Sequence, residues 1–233
     1  MDRFYRQILL PEIGLTNQIA IQKSNVAVIG IGGLGCPVAL YLAAAGIKNL
    51  VLIDPDSVSL DNLNRQILFG IDDIGKNKAT TAAHKLMVQF GDIVVEGLDA
   101  QLTHDNALEL LDKVDLILDC SDNFSCRYAS TNAAEILQKT VLTGSLYRNE
   151  GQIMCFDSRK ENYKSFRSLF PDEITQLNAN NCEEAGVLGA MAGVIGNLLS
   201  LEAVHQLICK PGKLENEMIV YNQNTYTVLR IKF

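Results

Sequence analysis

The chain has 233 residues, 48% of them hydrophobic and 20% charged, which leaves room for one sizeable α/β domain but not for two. A formal net charge of -7 argues against nucleic acid as the main partner, because a phosphate backbone attracts basic surfaces. Cys36, Cys120, Cys126, Cys155, Cys182 and Cys209 form no C-x-x-C pair, no signal core precedes them, and no apolar run approaches the ~20 residues of a membrane span, so a reduced, cytoplasmic protein with no membrane partner is expected.

Residues 1–24 read as a helical arm. Phe4, Ile8 and Leu9 form one apolar stripe, Pro11 and Gly14 interrupt it, and Ile19 and Ile21 resume it. Arg3 and Arg6 flank Tyr5 there, a spacing that a solvated helix face explains as well as a binding role does. Residues 26–54 then carry the strongest pattern. A β-branched run leads into Gly30, Gly32 and Gly35 at G-x-G-x-x-G spacing, an amphipathic helix follows, and a second apolar run ends on Asp54. In that spacing the first glycine permits a tight turn, the second lets backbone approach a phosphate, and the third lets helix and strand pack closely. The helix N-terminus would face the anion, and an acid about 20 residues on suits a ribose hydroxyl pair. The stretch is a nucleotide pocket that does not name its nucleotide.

Asp54 opens a polar loop holding Asp56, Asp61 and Arg65, at the carboxyl end of a parallel strand where doubly wound folds bind ligands. A helix with Lys76, Lys78 and Lys85 follows Gly75; most such lysines are solvated, and Lys78 stands out by its place near the helix start. Residues 93–98 read as a third strand, 106–111 as a short helix and 114–119 as a central fourth strand. Asp122 then falls at a strand end, and Asn123 at the N-cap of a helix over Phe124–Leu137. Capping accounts for Asn123 and leaves Asp119 and Asp122 unexplained. Residues 140–144 form another strand and 151–156 begin antiparallel structure. Residues 158–181 are polar and irregular, as in a mobile crossover loop. Residues 188–207 form a small-residue helix, and 218–221 with 226–231 a closing hairpin. The predicted fold is α/β: a Rossmann-like doubly wound sheet, mostly parallel, with C-terminal antiparallel strands and an N-terminal helical arm.

A lone G-x-G-x-x-G is shared by hydride-transfer enzymes and other classes. An NAD-dependent oxidoreductase would use Asp54 to select its cofactor, but it needs a proton-transfer residue, and His84, His104 and His205 suggest none. An ATP reading uses more of the chain. Arg65, Lys78 and Arg6 supply the positive charge a triphosphate demands, and Asp122 is a hard-oxygen ligand suited to Mg²⁺. No G-x-x-x-x-G-K-[ST] P-loop is present, which turns the expected chemistry to attack at the α-phosphate.

Seven motifs in order then make the chain resemble the ThiF/MoeB/HesA group of ubiquitin-like-protein activating enzymes: R-Q-I-L-L from Arg6, G-I-G-G-L-G from Gly30, D-x-D-x-V from Asp54, N-L-N-R-Q from Asn62, G-K-N-K from Gly75, D-C-S-D-N from Asp119 and N-C-E-E-A-G-V from Asn181. The resemblance implies a single ATP-binding adenylation domain over residues 1–233. Such a domain adenylates the C-terminal glycine carboxylate of a small ubiquitin-like sulfur-carrier protein, in thiamine or molybdopterin-type cofactor synthesis. It further implies that Gly33 touches the phosphates, Asp54 the ribose, and Asn62, Arg65 and Lys78 the phosphates. Asp122 would hold Mg²⁺, Gly30, Gly32, Gly35 and Asn123 would complete the nucleotide pocket, and Arg6 would reach into the neighbouring subunit of a homodimer. A non-catalytic partner that binds a ubiquitin-like protein without activating it is the alternative from another class.

By the same resemblance Cys182 sits where thiamine-pathway members carry a cysteine that bonds the carrier, whereas an inert loop thiol is the plainer reading. Glu183 and Glu184 beside it would raise its pKa. Relatives often carry a structural zinc on two C-x-x-C pairs. Here the first position reads S-F-R-S, with Ser165 and Ser168, and no second pair follows, so no zinc is expected and 158–181 loses a staple.

Overall fold

A computed structural model describes residues 2–171, 186–208 and 214–233. Eight strands form one sheet: β1 (Asn25–Ile29), β2 (Asn49–Ile53), β3 (Val94–Leu98), β4 (Leu116–Asp119), β5 (Thr140–Tyr147), β6 (Glu150–Asp157), β7 (Glu217–Asn222) and β8 (Thr227–Lys232). Their spatial order is β3-β2-β1-β4-β5-β6-β7-β8. The pairs from β3 to β5 are parallel, and those from β5 to β8 are antiparallel.

Strand β1 shows why the parallel half forms. Val26 and Val28 point into one hydrophobic cluster while Ala27 and Ile29 point into another, so a period of two buries both faces of a continuous apolar run. The first cluster packs under α3 (Gly35–Ala45), α4 (Lys78–Phe90) and α8 (Gly189–Ile208); the second packs under α5 (Ala107–Leu111) and α6 (Phe124–Leu137). Strand order reverses between β1 and β4. In register, Ile29 lies opposite both Ile53 and Asp119, which brings the carboxyl ends of β1, β2 and β4 level at that switch point, where a crevice opens in such folds.

The arm comprises α1 (Tyr5–Ile8) and α2 (Gly14–Lys23), and its docking is specific. The Arg3 guanidinium donates to Ala43 O at 2.9 Å, and the Gln7 and Gln18 amides donate to Ala45 O at 3.1 and 3.0 Å. These bonds fall on carbonyls of the last turn of α3, where Ala43 O also accepts from the cap residue Gly46 N at 3.1 Å. Gly46 closes α3 at φ 104°, and a Cβ there would meet the Phe4 ring at 2.7 Å, so glycine serves both the left-handed cap and the arm.

Three local differences from the sequence reading have physical causes. Strand β5 runs to Tyr147 because its antiparallel partner β6 continues the ladder as far as Glu150. The stretch expected as a mobile crossover carries α7 (Phe166–Leu169) in its first part, where Phe166 is buried and stacks near Phe124, Tyr128, Phe156 and Phe170. Its remainder, 172–181, lies outside the described residues. Third, α8 is long and apolar enough to cross a membrane, contrary to the expectation that no run approaches that length. Its Gly196 explains its real role: a Cβ there would meet Pro37 at 2.5 Å, so the helix lies close on α3 as part of the core.

Candidate active site

The glycine loop, residues 30–35, is the point where four elements meet. Gly30 has φ +82°, and a Cβ on it would stand 3.0 Å from Cys120 O and Ser121 N, at the end of β4. A Cβ on Gly35 would stand 1.9 Å from Gly30 O, the close helix–strand approach that this third glycine permits. At Gly33 the neighbours are Ala192 of α8 at 3.2 Å and the aliphatic carbons of Arg65 from 3.4 Å, while among the described residues Gly32 has only the Gln66 amide, 3.9 Å away. Space for a phosphate is therefore left at Gly32.

Asp54 ties this loop to β2. One carboxylate oxygen accepts from Ile31 N at 2.6 Å and the other from Asp56 N at 2.8 Å. Burial pushes the Asp54 carboxyl above the usual range, while the Asp56 amide, the Lys78 charge and the Ile31 amide pull it down. A carboxylate has about four lone-pair sites, so two are left for ribose hydroxyls. Lys78, the first residue of α4, is buried and its ammonium lies 2.8 Å from the Asp56 carboxylate, which is 67% exposed. Asn77 makes that geometry: its Oδ1 caps α4 by accepting from Thr80 N, and its amide donates to Asp54 O and Asp56 O.

The 59–66 turn supplies the next cation. Buried Asn62 accepts from Ser59 N while its own N–H meets the Ser59 side chain, closing a capping box, and its amide donates to Asp61. Arg65 donates to Asp61 O at 2.9 Å and to Asn64 Oδ1 at 3.1 Å, and among the described residues it pairs with no carboxylate. Gly189 at the start of α8 braces this turn, since a Cβ there would meet Asn64 O at 2.3 Å.

After β4, Asp119 is fully buried and accepts from Ser121 N at 3.0 Å, from the Ser121 hydroxyl and from the Ser130 hydroxyl. Buried Arg127 donates to Ser121 O at 2.7 Å and to Gly144 O at 2.9 Å. The turn is held from below, and Asp122 stands out from it exposed. Asn123 Oδ1 is committed to the α6 cap, accepting from Cys126 N at 2.8 Å, which leaves its amide nitrogen for a ligand.

The structure thus gathers Gly30, Gly32, Gly33, Gly35, Asp54, Asn62, Arg65 and Lys78 at the crevice, with Asp122 and Asn123 on the adjoining turn. It does not bring Arg6 there. Arg6 is exposed between Arg3 and Gln7, which bond carbonyls at the far end of α3, about 16 Å along an 11-residue helix from the glycine loop. Cys182 lies outside the described residues, as does Cys209. Burial pushes the Cys36 and Cys126 thiols up to about 12 and those of Cys120 and Cys155 higher still, which removes them as nucleophiles. Ser165 and Ser168 form the cap of α7, with the Ser165 hydroxyl accepting from Ser168 N at 3.1 Å. Sequence reasoning placed Asp56 in the ligand loop without its pairing to Lys78, and it missed the roles of Asn77 and Arg127; the asparagine directly before α4 was the available signal for Asn77.

ATP and Mg²⁺ can be tested against these residues. The open position at Gly32, the Arg65 and Lys78 cations and the two free acceptor sites on Asp54 fit a nucleoside triphosphate. Among the described residues no three His, Cys, Asp or Glu side chains converge as a metal cage, whereas Mg²⁺ held through phosphate oxygens needs only one or two carboxylates, and exposed Asp122 can supply one. A separate depression of about 330 Å³ along α4, lined by Asp73, Lys76, Thr80, Thr81, His84 and Lys85, shares none of these residues. Asp73 already pairs there with both lysines.

The ThiF family model matches residues 4–233. An adenylyltransferase and sulfurtransferase MOCS3 from Anopheles gambiae is 38% identical over 232 residues, covering 99% of this chain and 52% of the relative. A sulfur carrier protein adenylyltransferase from Thermus thermophilus is 36% identical over 225 residues, covering 95% of this chain and 83% of the relative. The chain thus spans about half the length of the MOCS3 relatives it matches. Among solved structures, PaaA superposes with a TM-score of 0.84 at 20% identity, covering 99% of this chain and 82% of that one. E. coli MccB with AMPCPP and MccA gives 0.83 at 19% identity, covering 99% and 71%. At such identities the likeness is one of fold.

Proposed function

This chain belongs to the ThiF family, and from that premise we propose that it is an adenylyltransferase that activates the C-terminal carboxylate of a ubiquitin-like sulfur-carrier protein with ATP. The observation that carries this reading is the meeting of two cations, Arg65 beside Gly33 and Lys78 beside Asp54, at a glycine loop with open space at Gly32. A dinucleotide pyrophosphate is served by the helix N-terminus alone; a triphosphate that must shed pyrophosphate calls for added positive charge.

The chemistry asks little of the protein beyond alignment and charge. A carrier carboxylate is already ionised at neutral pH, so it attacks the α-phosphorus without a general base. The P–O bond to the β-phosphate breaks, pyrophosphate leaves, and an acyl-adenylate remains. Lys78 suits the departing group: its three donors can turn from Asp56 to phosphate oxygens, and the exposed Asp56 carboxylate returns to water at little cost. Arg65 holds the phosphates with its planar fork, and Asp54 orients the ribose. Mg²⁺ held by Asp122 would supply neutralisation of phosphate charge. We assign Arg6 to the pocket of a second copy in a homodimer, a reading supported by its exposure on an arm pinned away from its own glycine loop. Cys182 as a carrier-bonding thiol, and a thiamine-type pathway, belong to the same proposal and rest on the motif alone.

The test is ATP–pyrophosphate exchange with and without sulfur-carrier proteins from the same source. Exchange that requires a carrier ending in glycine is the expected result. Carrier binding without exchange would favour a non-catalytic partner, and reduction of NAD an oxidoreductase.

A further inference from the structure

Gln66 is the unexplained member of the site. The residue is only 3% exposed, its Oε1 has no hydrogen-bond partner, and its Nε2 makes no hydrogen bond among the described residues. Thr143, His205 and Asn216 also hold an unpartnered buried atom, and of the four Gln66 is the one found beside Gly32. Three further buried polar side chains near the crevice are bonded: Asp119 to two serines, Arg127 to two carbonyls, Asn62 to Ser59 and Asp61. A buried carboxamide left unbonded is destabilising, so the fold alone gives no reason for an amide rather than an apolar side chain of the same shape.

The direction in which the amide points supplies the reason. Its nitrogen is the nearest atom, at 3.9 Å, to the place a Cβ on Gly32 would occupy, the one stretch of the glycine loop left open by the surrounding side chains. Resting on the functional reading above, we propose that Gln66 is a phosphate-binding residue whose amide nitrogen donates to a non-bridging oxygen of the ATP phosphate chain at Gly32. A neutral donor suits this position. Arg65 and Lys78 already bring positive charge from this chain, and an amide adds a directed donor without adding to it.

The backbone makes the placement firm. Gln66 N donates to Asn62 O at 2.9 Å and Phe69 N donates to Gln66 O at 3.1 Å, so the residue is fixed in the turn that also carries Arg65. The side chain is thus aimed before any ligand arrives.

The experiment compares Gln66→Met, an apolar side chain of similar shape, with the wild-type chain, measuring ATP binding by calorimetry without carrier and unfolding by urea without nucleotide. Loss of a bond to a charged phosphate predicts ATP affinity lower by ~10-fold or more in the variant, while removal of an unpaired buried amide predicts a free fold at least as stable as before. Gln66→Glu, which puts a negative charge at the same place, weakens ATP further than Gln66→Met does. Unchanged ATP affinity in both variants overturns the assignment, as does a Gln66→Met chain that loses stability but binds ATP as before, since the amide then serves the fold. A wild-type chain that binds no ATP overturns the functional reading itself, a result distinct from either.

Discussion

The inner and outer halves of the crevice are built differently. On the inner side, the glycine loop, Asp54 and Lys78 are buried and joined by backbone amides and an ion pair, so each group already has a partner before nucleotide arrives. On the outer side, Asp122 is exposed with no bond, and Arg65 bonds only to its own turn among the described residues. The inner half is part of the core and is preorganised by it. The outer half makes fewer bonds to the rest of the fold, and under the proposed function it is the side that would meet a metal ion and the end of a carrier.

The sharpest way to break that comparison lies within the glycine loop itself. Gly35→Ala drives a Cβ to 1.9 Å from Gly30 O, a backbone atom that cannot turn aside, and overpacking of that severity is expected to remove ~3 kcal/mol or more. Gly32→Ala meets only the end of a flexible amide at 3.9 Å, so the free fold should stay within ~0.5 kcal/mol of wild type. ATP binding should nonetheless be lost in both. Urea unfolding beside calorimetry separates the two, and equal stability losses would show that Gly32 serves packing and not a phosphate.

Next in size are the effects of removing one charge from each half. Asp122→Ala should lower carrier-dependent exchange by ~10²- to 10³-fold, the scale seen when one preorganised charge partner is removed, with unfolding unchanged. Lys78→Met should match it in activity. Replacing a buried ammonium by an apolar chain of similar length is close to neutral for stability when its partner, here Asp56, is free to return to water. A large stability loss in Asp122→Ala would place that residue in the fold and remove the distinction between the halves.

How far this arrangement could be read from the chain follows the same division. Periodicity located α6 over Phe124–Leu137, and Asn123 as its N-cap, because the capping bond is local in sequence. The crevice residues were legible because their spacing to the glycines is fixed by the strand–loop–helix unit. Contacts made across the fold were not. Asp119 looked spare until Ser130, eleven residues on, proved to bond it, and nothing before the structure paired Lys78 with Asp56. Strand β5 ran on past Gly144 because β6 supplied the partner, and the sequence reading saw no run of span length where α8 is long and apolar enough for one, since helices packed inside a core and helices packed in lipid share a composition. Gln66 closed the N-L-N-R-Q motif, but no role was read from it.

The smallest effect compares Asp54 with a carboxylate outside the site. Asp157 is buried at the end of β6 and is desolvated there, yet Arg159, bonding it at 2.7 and 2.8 Å, holds its carboxyl below the usual range. Its contribution to stability is therefore present above the unfolded carboxylate value and is lost as pH falls through the lower, folded one. Asp54 has the opposite sign. Burial raises its carboxyl in the folded chain, so the folded protein takes up that proton first on acidification and gains stability relative to the unfolded chain. Between Asp157→Asn and wild type, the stability gap, about 1 kcal/mol because Arg159 keeps half its surface in water, should narrow as pH drops. Between Asp54→Asn and wild type it should widen over the same range. Urea titrations at a series of pH values give both slopes, and slopes of the same sign would mean that the Asp54 carboxylate is stabilised by its amides and Lys78 more than burial opposes it, making the inner half still more firmly set before nucleotide binds.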